Sequence, residues 1–558
     1  MTALATRRSV AITAPAIARA VATALATVLV ATLAAMAAIT ATPAIMPAQR
    51  TAERAAQQAN QRAAERAAAA PLASLDVYVE RALRDWQVPG LAIAVVRNDS
   101  VILSKGYGVR EIGEPERVDA NTIFAIASTT KAFTSTAMGM LVDAGTLDWD
   151  DPVARWLPYF EVADPIANQS FAIRDLLTHR SGLERGDLLW ATGRYDRKEV
   201  VSHLRYLRQI HPFRTTYGYS NNMFITAGMV ITEASGMSWD DFIARRIFQP
   251  LGMRRSNTTV RGLDTLANVA RPHELVDGQL RAVPYFNLDN EGPGGSINSS
   301  VADMARWLRF QLGDGTFGGK RLISRGALSE THTAETIIRL GARDSAMFPG
   351  IHHSAYAMGW QVQDYRGRTL VQHGGAIDGM RSRVALVPEA KIGLVILTNR
   401  GGGNLLFDAI RNRVLDALLG APSDARPRDW STDYLAIARQ DSARNAREVK
   451  EYEATRVAGT RPSLPLESYT GSYTSDAYGE ARITMEGDHL VLTIGPRFVG
   501  DMAHWHYDSF RSTWRAPNSG WGMVTFHLDD RGQPTRMWTA GFGDFRRVEA
   551  AQAAGSSE

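Results

Sequence analysis

Two kinds of hydrophobic spacing alternate along residues 74–420. Stretches with apolar residues three or four positions apart predict amphipathic helices, and short runs rich in Val, Ile and Leu predict strands. In chain order the predicted elements are a helix at 74–86, strands at 91–96 and 101–106, helices at 128–145 and 222–235, strands at 359–362, 368–372, 382–387 and 392–397, and a helix at 405–419. This order predicts an α+β domain, in which an antiparallel sheet is flanked by helices and joined to a mostly helical subdomain.

The pattern changes after residue 420. Residues 421–463 contain three prolines around a charged helical stretch and are predicted to be a linker. Residues 464–549 consist of short, aromatic-rich strands separated by turns, which predicts a small all-β domain, a barrel with a sandwich as the alternative. His504 and His506 share one of these strands, but the sequence offers no third ligand beside them, so we predict no metal site and no cofactor.

The N-terminal region has a different composition. Arg7, Arg8 and Arg19 precede an uncharged Ala/Val/Leu/Thr stretch at 20–41, and small residues follow it. This arrangement predicts an export signal at 1–48, and therefore an exported protein, periplasmic or secreted. The Ala-rich residues 49–73 are predicted to be a tether. The apolar stretch is also long enough to span a bilayer, so the alternative is an uncleaved anchor, and we expect membrane contact through that segment only.

The overall charge gives no support to a nucleic-acid partner. The chain has 558 residues and a formal net charge of +4, but its first 50 residues carry four arginines and no acid, so the remainder has 58 basic and 58 acidic side chains. A neutral folded part does not favour a nucleic-acid partner. The chain contains no cysteine, which excludes thiol catalysis and cysteine-ligated metals.

Candidate chemistry begins with Ser128 and Lys131, three residues apart at the start of the helix predicted at 128–145. Residues at this spacing share a helix face, and the unpaired N–H groups and dipole of a helix start favour an alkoxide. A serine beside an amine can therefore be a nucleophile. The alternative is that Ser128 is only an N-cap and Lys131 a solvated charge.

Two further clusters strengthen the catalytic interpretation. Tyr219 and Asn221 precede the helix predicted at 222–235, and alternate residues of an extended segment face the same way. His373-Gly374-Gly375 follows a predicted strand, where paired glycines indicate close approach of a ligand or another backbone.

Serine-x-x-lysine, tyrosine-x-asparagine and histidine-x-glycine, in this order, resemble the motifs of the serine β-lactamase and penicillin-binding-protein superfamily, in particular its class C-like branch of esterases and D-amino-acid peptidases. Secondary signatures agree over about residues 74–419, at 176–183, 250–253, 294–296 and 303–305. The resemblance implies a β-lactamase/transpeptidase-like fold and an acyl-enzyme mechanism. The β domain is similar to the lipocalin-like C-terminal domain attached to some peptidases of this superfamily.

The resemblance also implies roles for individual residues. These are Ser128 as the nucleophile, Lys131 and Tyr219 as the proton-transfer groups, the backbone N–H groups of Ser128 and Ala376 as the oxyanion hole, and Asn221, His373 and Gly375 as substrate-binding residues. Whether Lys131 or Tyr219 is the general base is open at this stage. The expected substrate is a small molecule or short peptide, and a homo-oligomer is a further expectation.

The third motif departs from that of β-lactamases and carboxypeptidases, where a lysine and a hydroxyl residue anchor the substrate's carboxylate. Here His373 and Gly374 occupy those positions, and a histidine is mostly neutral at pH 7. We therefore expect ester or amide hydrolysis in preference to β-lactam hydrolysis. Arg381 or Arg383 would restore a carboxylate contact, which keeps a class C-type β-lactamase or D-alanyl carboxypeptidase as an alternative.

A penicillin-binding protein that is acylated without turnover is a second alternative. Residues 185–197 and 338–355 are predicted to form loops that line the pocket and set specificity.

Overall fold

An antiparallel sheet of eight strands forms the centre of the first domain. In spatial order the strands are Ser100–Gly108, Gly90–Arg97, Ile392–Thr398, Met380–Val387, Arg368–Ile377, Gln361–Tyr365, Ser354–Tyr356 and Thr336–Ile337. The structure is a computed structural model that describes residues 67, 69–402, 405–420, 428–516 and 519–548. The predicted export signal and most of the predicted tether lie outside the described residues. The last part of the tether, Ala70–Leu72, is a 3₁₀ turn, and Leu72 is buried in the first domain.

The sequence places the strands correctly but not all of their ends. The strand predicted at 368–372 continues to Ile377, so the His373-Gly374-Gly375 motif lies inside it. The strand predicted at 359–362 is Gln361–Tyr365. Two strands, Ser354–Tyr356 and Thr336–Ile337, were not predicted, because runs of two or three residues are too short to show a period.

Helices cover both faces of the sheet, which confirms the α+β class. The long helices are Leu75–Asp85, Thr130–Asp143, Asn221–Ser235, Val301–Leu312 and Leu406–Leu419. Shorter ones are Val153–Trp156, Pro165–Ser170, Ile173–Leu177, Leu188–Ala191, Arg197–Ser202, Trp239–Phe242, Gln249–Leu251, Gly292–Gly295, Arg325–Thr331 and Ala342–Met347. Leu75–Asp85 and Leu406–Leu419 share one hydrophobic core with one sheet face, and the helical subdomain covers the other.

The helix Thr130–Asp143 corrects one prediction. It was expected to be amphipathic, but every residue from Thr130 to Leu141 is buried. Ala132, Ala137 and Gly139 have little side-chain bulk, and the helices Asn221–Ser235, Gly292–Gly295 and Arg325–Thr331 pack against it. Ser128 lies just before it, in the 3₁₀ turn Ala127–Thr129.

The second domain is a closed barrel of eight strands, as predicted. The strands are Gly471–Ser475, Gly479–Glu486, His489–Ile494, Phe498–His506, Ser509–Trp514, Trp521–Leu528, Pro534–Thr539 and Gly543–Arg547. Within the predicted linker, Trp430–Ala454 forms one helix, which we call the bridging helix. Its Tyr434 is buried in the first domain, and its Tyr452 packs against Trp505 and Trp521 of the barrel. None of the helices in the described part of the chain is long and apolar enough to cross a bilayer.

Candidate active site

The turn that carries Ser128 is fixed against the sheet. The Ser382 hydroxyl donates a hydrogen bond to the Ile126 carbonyl (2.7 Å) and lies 2.8 Å from the Thr129 hydroxyl. Ala127 has φ of +46°, a conformation that residues other than glycine rarely adopt. Such backbone conformations persist only where the surrounding structure holds them, and they are concentrated at functional sites.

Gly375 makes this docking possible. A β-carbon at this position would lie 2.1 Å from the Ile126 carbonyl oxygen and 2.2 Å from the Ser382 hydroxyl oxygen. Only glycine therefore fits between the strand and the Ser128 turn. The structure places Gly375 beneath the Ser128 turn, which accounts for the glycine apart from any contact with substrate.

The Lys131 amine lies at the centre of the site and is completely buried. Its Nζ is 2.7 Å from Asn221 Oδ1, 2.7 Å from the Gly294 carbonyl oxygen and 3.3 Å from Ser128 Oγ. Burial lowers the pKa of Lys131 to about 8, although the nearby Glu291 carboxyl acts in the opposite direction. The amine is thus poised to change its charge near physiological pH.

Asn221 is held by a second hydrogen bond. Its Nδ2 donates to Asp187 Oδ1 (3.0 Å), which also accepts from Trp190 Nε1 (3.1 Å). Arg185 forms an ion pair with the same aspartate. Because Asp187 accepts from the amide nitrogen, the amide oxygen of Asn221 is directed at Lys131.

Two basic side chains and one histidine ring lie close to the ring of Tyr219. Lys131 Nζ lies 5.0 Å from its ring centroid and the Arg185 guanidinium carbon 5.3 Å, while the His179 ring is 4.1 Å away. Burial raises the pKa of Tyr219 above its ordinary value, although a hydrogen bond with Ser128 opposes the shift. The side chain is therefore a phenol, not a phenolate, at neutral pH.

His373 is buried and its two ring nitrogens are occupied. Nε2 lies 2.8 Å from the Tyr356 hydroxyl and Nδ1 lies 2.7 Å from the Gly374 carbonyl oxygen. The carbonyl only accepts, so Nδ1 carries the proton and Nε2 accepts from tyrosine. Burial, with the positive charge of Lys131, lowers the pKa of His373 to about 3. The imidazole is therefore neutral, as the sequence predicts, and its nitrogens are not free for a carboxylate.

The two arginines proposed as substitutes for the lysine do not face Ser128. Side chains alternate along a strand, and Ser382 faces the turn that carries Ser128. Arg381 and Arg383 therefore point to the opposite face. Arg383 pairs there with Asp408 (2.8 Å), on the helix Leu406–Leu419. Arg381 NH1 donates to the Ile377 and Met380 carbonyl oxygens (2.8 Å each), and Ile377 lines the cavity beside Ser128, so a carboxylate contact from Arg381 stays a prediction.

A cavity of about 170 Å³ opens beside Ser128. Its walls are mostly apolar or acidic, and they are Ala127, Ser128, Trp190, Asn221, Phe286, Leu288, Glu291, Gly295, Ala376, Ile377 and Asp378. Trp190 comes from the loop predicted at 185–197. Residues of the loop predicted at 338–355 line two other cavities in the described part of the chain. The pairing between the strands Gln361–Tyr365 and Arg368–Ile377 ends at Gln372. Residues 373–377 therefore pair on one side only, with Met380–Val387, and their other backbone edge is unpaired beside this cavity.

The barrel contacts a wall of this cavity. The Arg497 guanidinium carbon lies 4.7 Å from the centroid of the Phe286 ring, and its NH1 is 3.4 Å from the Ala191 carbonyl oxygen. Arg194 in turn donates to the Glu480 carbonyl of the barrel (2.6 Å). The barrel thus supports the loop that carries Asp187 and Trp190.

Sequence reasoning missed Glu291 and Asp187, because neither belongs to a recognised motif; the only local signal is the run Glu291-Gly292-Pro293-Gly294-Gly295. Within the described ranges no group of three His, Asp or Glu side chains is arranged to hold a metal ion. His504 Nε2 is 2.9 Å from the Tyr507 carbonyl, and His506 Nδ1 accepts from the Val457 N–H.

Comparison with known proteins gives two family matches. Residues 75–419 match the family described as Beta-lactamase, and residues 455–550 match a domain of unknown function, DUF3471. The unguisins hydrolase ungD of Aspergillus violaceofuscus is 31% identical over 440 residues, which are 73% of this chain and 76% of that protein. Penicillin-binding protein 4 of Amycolatopsis lactamdurans is 31% identical over 365 residues, 62% of this chain and 93% of that protein.

Several solved structures are similar over most of the chain. The octameric penicillin-binding protein homologue from Pyrococcus abyssi covers 85% of this chain and 99% of its own, at 21% identity and a TM-score of 0.57. This similarity concerns the fold.

Proposed function

Because this chain belongs to the beta-lactamase family, we propose that it is a serine hydrolase in which Ser128 forms an acyl-enzyme with an ester or amide substrate. The serine Oγ bonds to the carbonyl carbon and the leaving group departs with the serine's proton. Water then cleaves the acyl-enzyme, releases the acid and restores the hydroxyl. The placement of Lys131 Nζ is the observation that carries this proposal.

The contacts of Lys131 fit a neutral amine acting as general base. A neutral amine has two N–H bonds and one lone pair. The two contacts at 2.7 Å, with Asn221 Oδ1 and the Gly294 carbonyl, take the N–H donors. The lone pair is then directed at the Ser128 hydroxyl, 3.3 Å away, from which it accepts the proton. The leaving group receives this proton from the Lys131 ammonium through the Tyr219 hydroxyl, which donates its own proton and regains one, so that both side chains end the step as they began.

The oxyanion is assigned to the backbone N–H groups of Ser128 and Ala376. Ala376 lies on the strand edge that stays unpaired beside the cavity, where a substrate carbonyl approaches. Such donors contribute about 3 kcal/mol each to stabilising the transition state.

The preference for esters or amides over carboxylate-bearing β-lactams follows from the charge of the pocket. His373 is neutral with both nitrogens occupied, and Arg383 is paired on the opposite sheet face. Trp190, Phe286 and Ile377 offer apolar walls to the acyl group. The unguisins hydrolase relative supports turnover, whereas the penicillin-binding protein relative keeps acylation without turnover as the second candidate. Export and a homo-oligomeric state remain predictions from the sequence.

Labelling and turnover assays test this proposal. Wild-type protein should be labelled by a fluorophosphonate and hydrolyse short-chain nitrophenyl esters or D-aminoacyl anilides faster than nitrocefin. The Ser128→Ala variant should lose labelling without losing stability. Labelling that persists in Ser128→Ala would place the nucleophile elsewhere. A burst without turnover on every substrate would support the second candidate.

A further inference from the structure

We propose that Glu291 is a positioning residue for the Ser128 reaction: a buried acid that controls when the Lys131 amine is free to accept a proton. This inference rests on the proposed role of Lys131 as the general base. Glu291 Oε1 lies 3.9 Å from Lys131 Nζ, and only 3% of the glutamate side chain is exposed. Within the described part of the chain, it is the one acid that forms an ion-pair contact with this lysine.

Two glycines leave room for the carboxyl group. β-Carbons at Gly294 and Gly295 would lie 2.0 Å from Glu291 Oε1 and 2.4 Å from Oε2. The carboxyl therefore packs directly on the backbone whose Gly294 carbonyl accepts a hydrogen bond from Lys131. The same short segment fixes both the lysine and the acid beside it.

Other charged and titratable groups also face this pair. They are Asp187 and Arg185 of the loop, Arg197 of the helix Arg197–Ser202, Tyr219, His179 and His373. Asp378 lines the same cavity as Glu291, and burial raises its pKa. Most of these have a partner or no charge: Arg185 pairs with Asp187, Arg197 pairs with Asp240 (2.7 Å), and burial lowers the pKa of both histidines, which keeps them neutral. Glu291 has Lys131 as its ion-pair contact.

The direction of the effect follows from the charges. An ionised Glu291 stabilises the ammonium form of Lys131, and a neutral Glu291 does not. Burial raises the pKa of Glu291 to about 8, the range in which Lys131 also titrates. Ionisation of Glu291 therefore holds the proton on Lys131 as pH rises. Removing the acid should lower the pKa of Lys131, and the rising limb of the acylation rate, which requires the neutral amine, should move to lower pH.

The test is the pH dependence of fluorophosphonate labelling in the full chain, for wild type, Glu291→Gln, Glu291→Asp and the control Glu184→Gln. Glu184 pairs with Arg208 (2.8 Å) and makes no ion-pair contact with Lys131. The midpoint should fall by about one pH unit in Glu291→Gln, since an opposite charge at this distance shifts a pKa by about 1–3 units. It should fall by less in Glu291→Asp and stay unchanged in the control.

A slower rate at every pH with an unmoved midpoint would mean that Glu291 only supports packing, and would overturn the inference. If Glu291→Gln does not fold, an unmoved midpoint in Glu291→Asp overturns it equally. Failure to label the wild type at any pH would refute the proposed function instead, so the two failures can be distinguished.

Discussion

Gly375→Ala should impair the reaction without touching any reacting atom. The new β-carbon would lie 2.1 Å from the Ile126 carbonyl oxygen, whereas ordinary contact begins near 3.4 Å, so the two groups must separate by more than 1 Å. Neither neighbour is a flexible side-chain end: one is backbone, and the other is Ser382, which is hydrogen-bonded to that backbone. The displacement therefore falls on the turn that carries Ser128.

Overpacking of this kind costs about 1–3 kcal/mol of the free energy of unfolding. A nucleophile misplaced by about 1 Å costs about a hundredfold in rate. We expect the fluorophosphonate labelling rate to fall by about that factor and urea denaturation to show the stability loss.

Gly374→Ala is the matched control, one residue away on the same strand. The nearest atoms to its β-carbon would be those of the Arg383 guanidinium, at 3.0–3.2 Å, and a shift of a few tenths of an ångström in this side-chain end would relieve the contact. The control should label close to the wild-type rate. Wild-type labelling and stability in Gly375→Ala would refute the claim that glycine is required here by close packing.

Two further predictions concern Arg497 of the barrel and the buried His373. Arg497→Ala should change the ratio of kcat/KM for large and small acyl esters by about fivefold, which is equivalent to a cation–π contact of about 1 kcal/mol. Arg482→Ala, at an exposed position of the barrel, should leave this ratio unchanged. Equal ratios in both variants would contradict a contribution of the barrel to specificity. For His373, the folded pKa of about 3 lies below the ordinary 6.5, so the unfolded chain binds the extra proton and the free energy of unfolding falls as pH drops below 6.5. The contribution of His373 to this fall is at most about 1.4 kcal/mol per pH unit. In urea denaturation, the free energy of unfolding of His373→Asn should therefore decline less steeply than that of wild type between pH 6.5 and about 3. Parallel declines in the two proteins would contradict the prediction.

Motifs in the sequence predicted which residues meet at the site but not what surrounds them. Ser128, Lys131, Tyr219 and Asn221 come together because each precedes or begins a helix whose pattern is readable. Glu291 was missed because a buried acid beside glycines has no distinctive spacing.

The sequence also could not predict side-chain orientations that depend on strand pairing. The sheet face of Arg381 and Arg383 could not be predicted, since a strand's facing is set by its register with neighbours. The contact of Arg497 with Phe286 joins positions more than 200 residues apart, and no local pattern reports it.

The length of the bridging helix sets both the distance and the rotation between its two ends. Each residue of an α-helix advances the chain by about 1.5 Å and turns it by about 100°. One residue inserted in the exposed middle of Trp430–Ala454 would therefore swing Tyr452 away from Trp505 if the barrel kept its contact through Arg497. Keeping the packing of Tyr452 would instead carry Arg497 away from Phe286. Chain length in this helix can thus change only at the expense of one interface or the other.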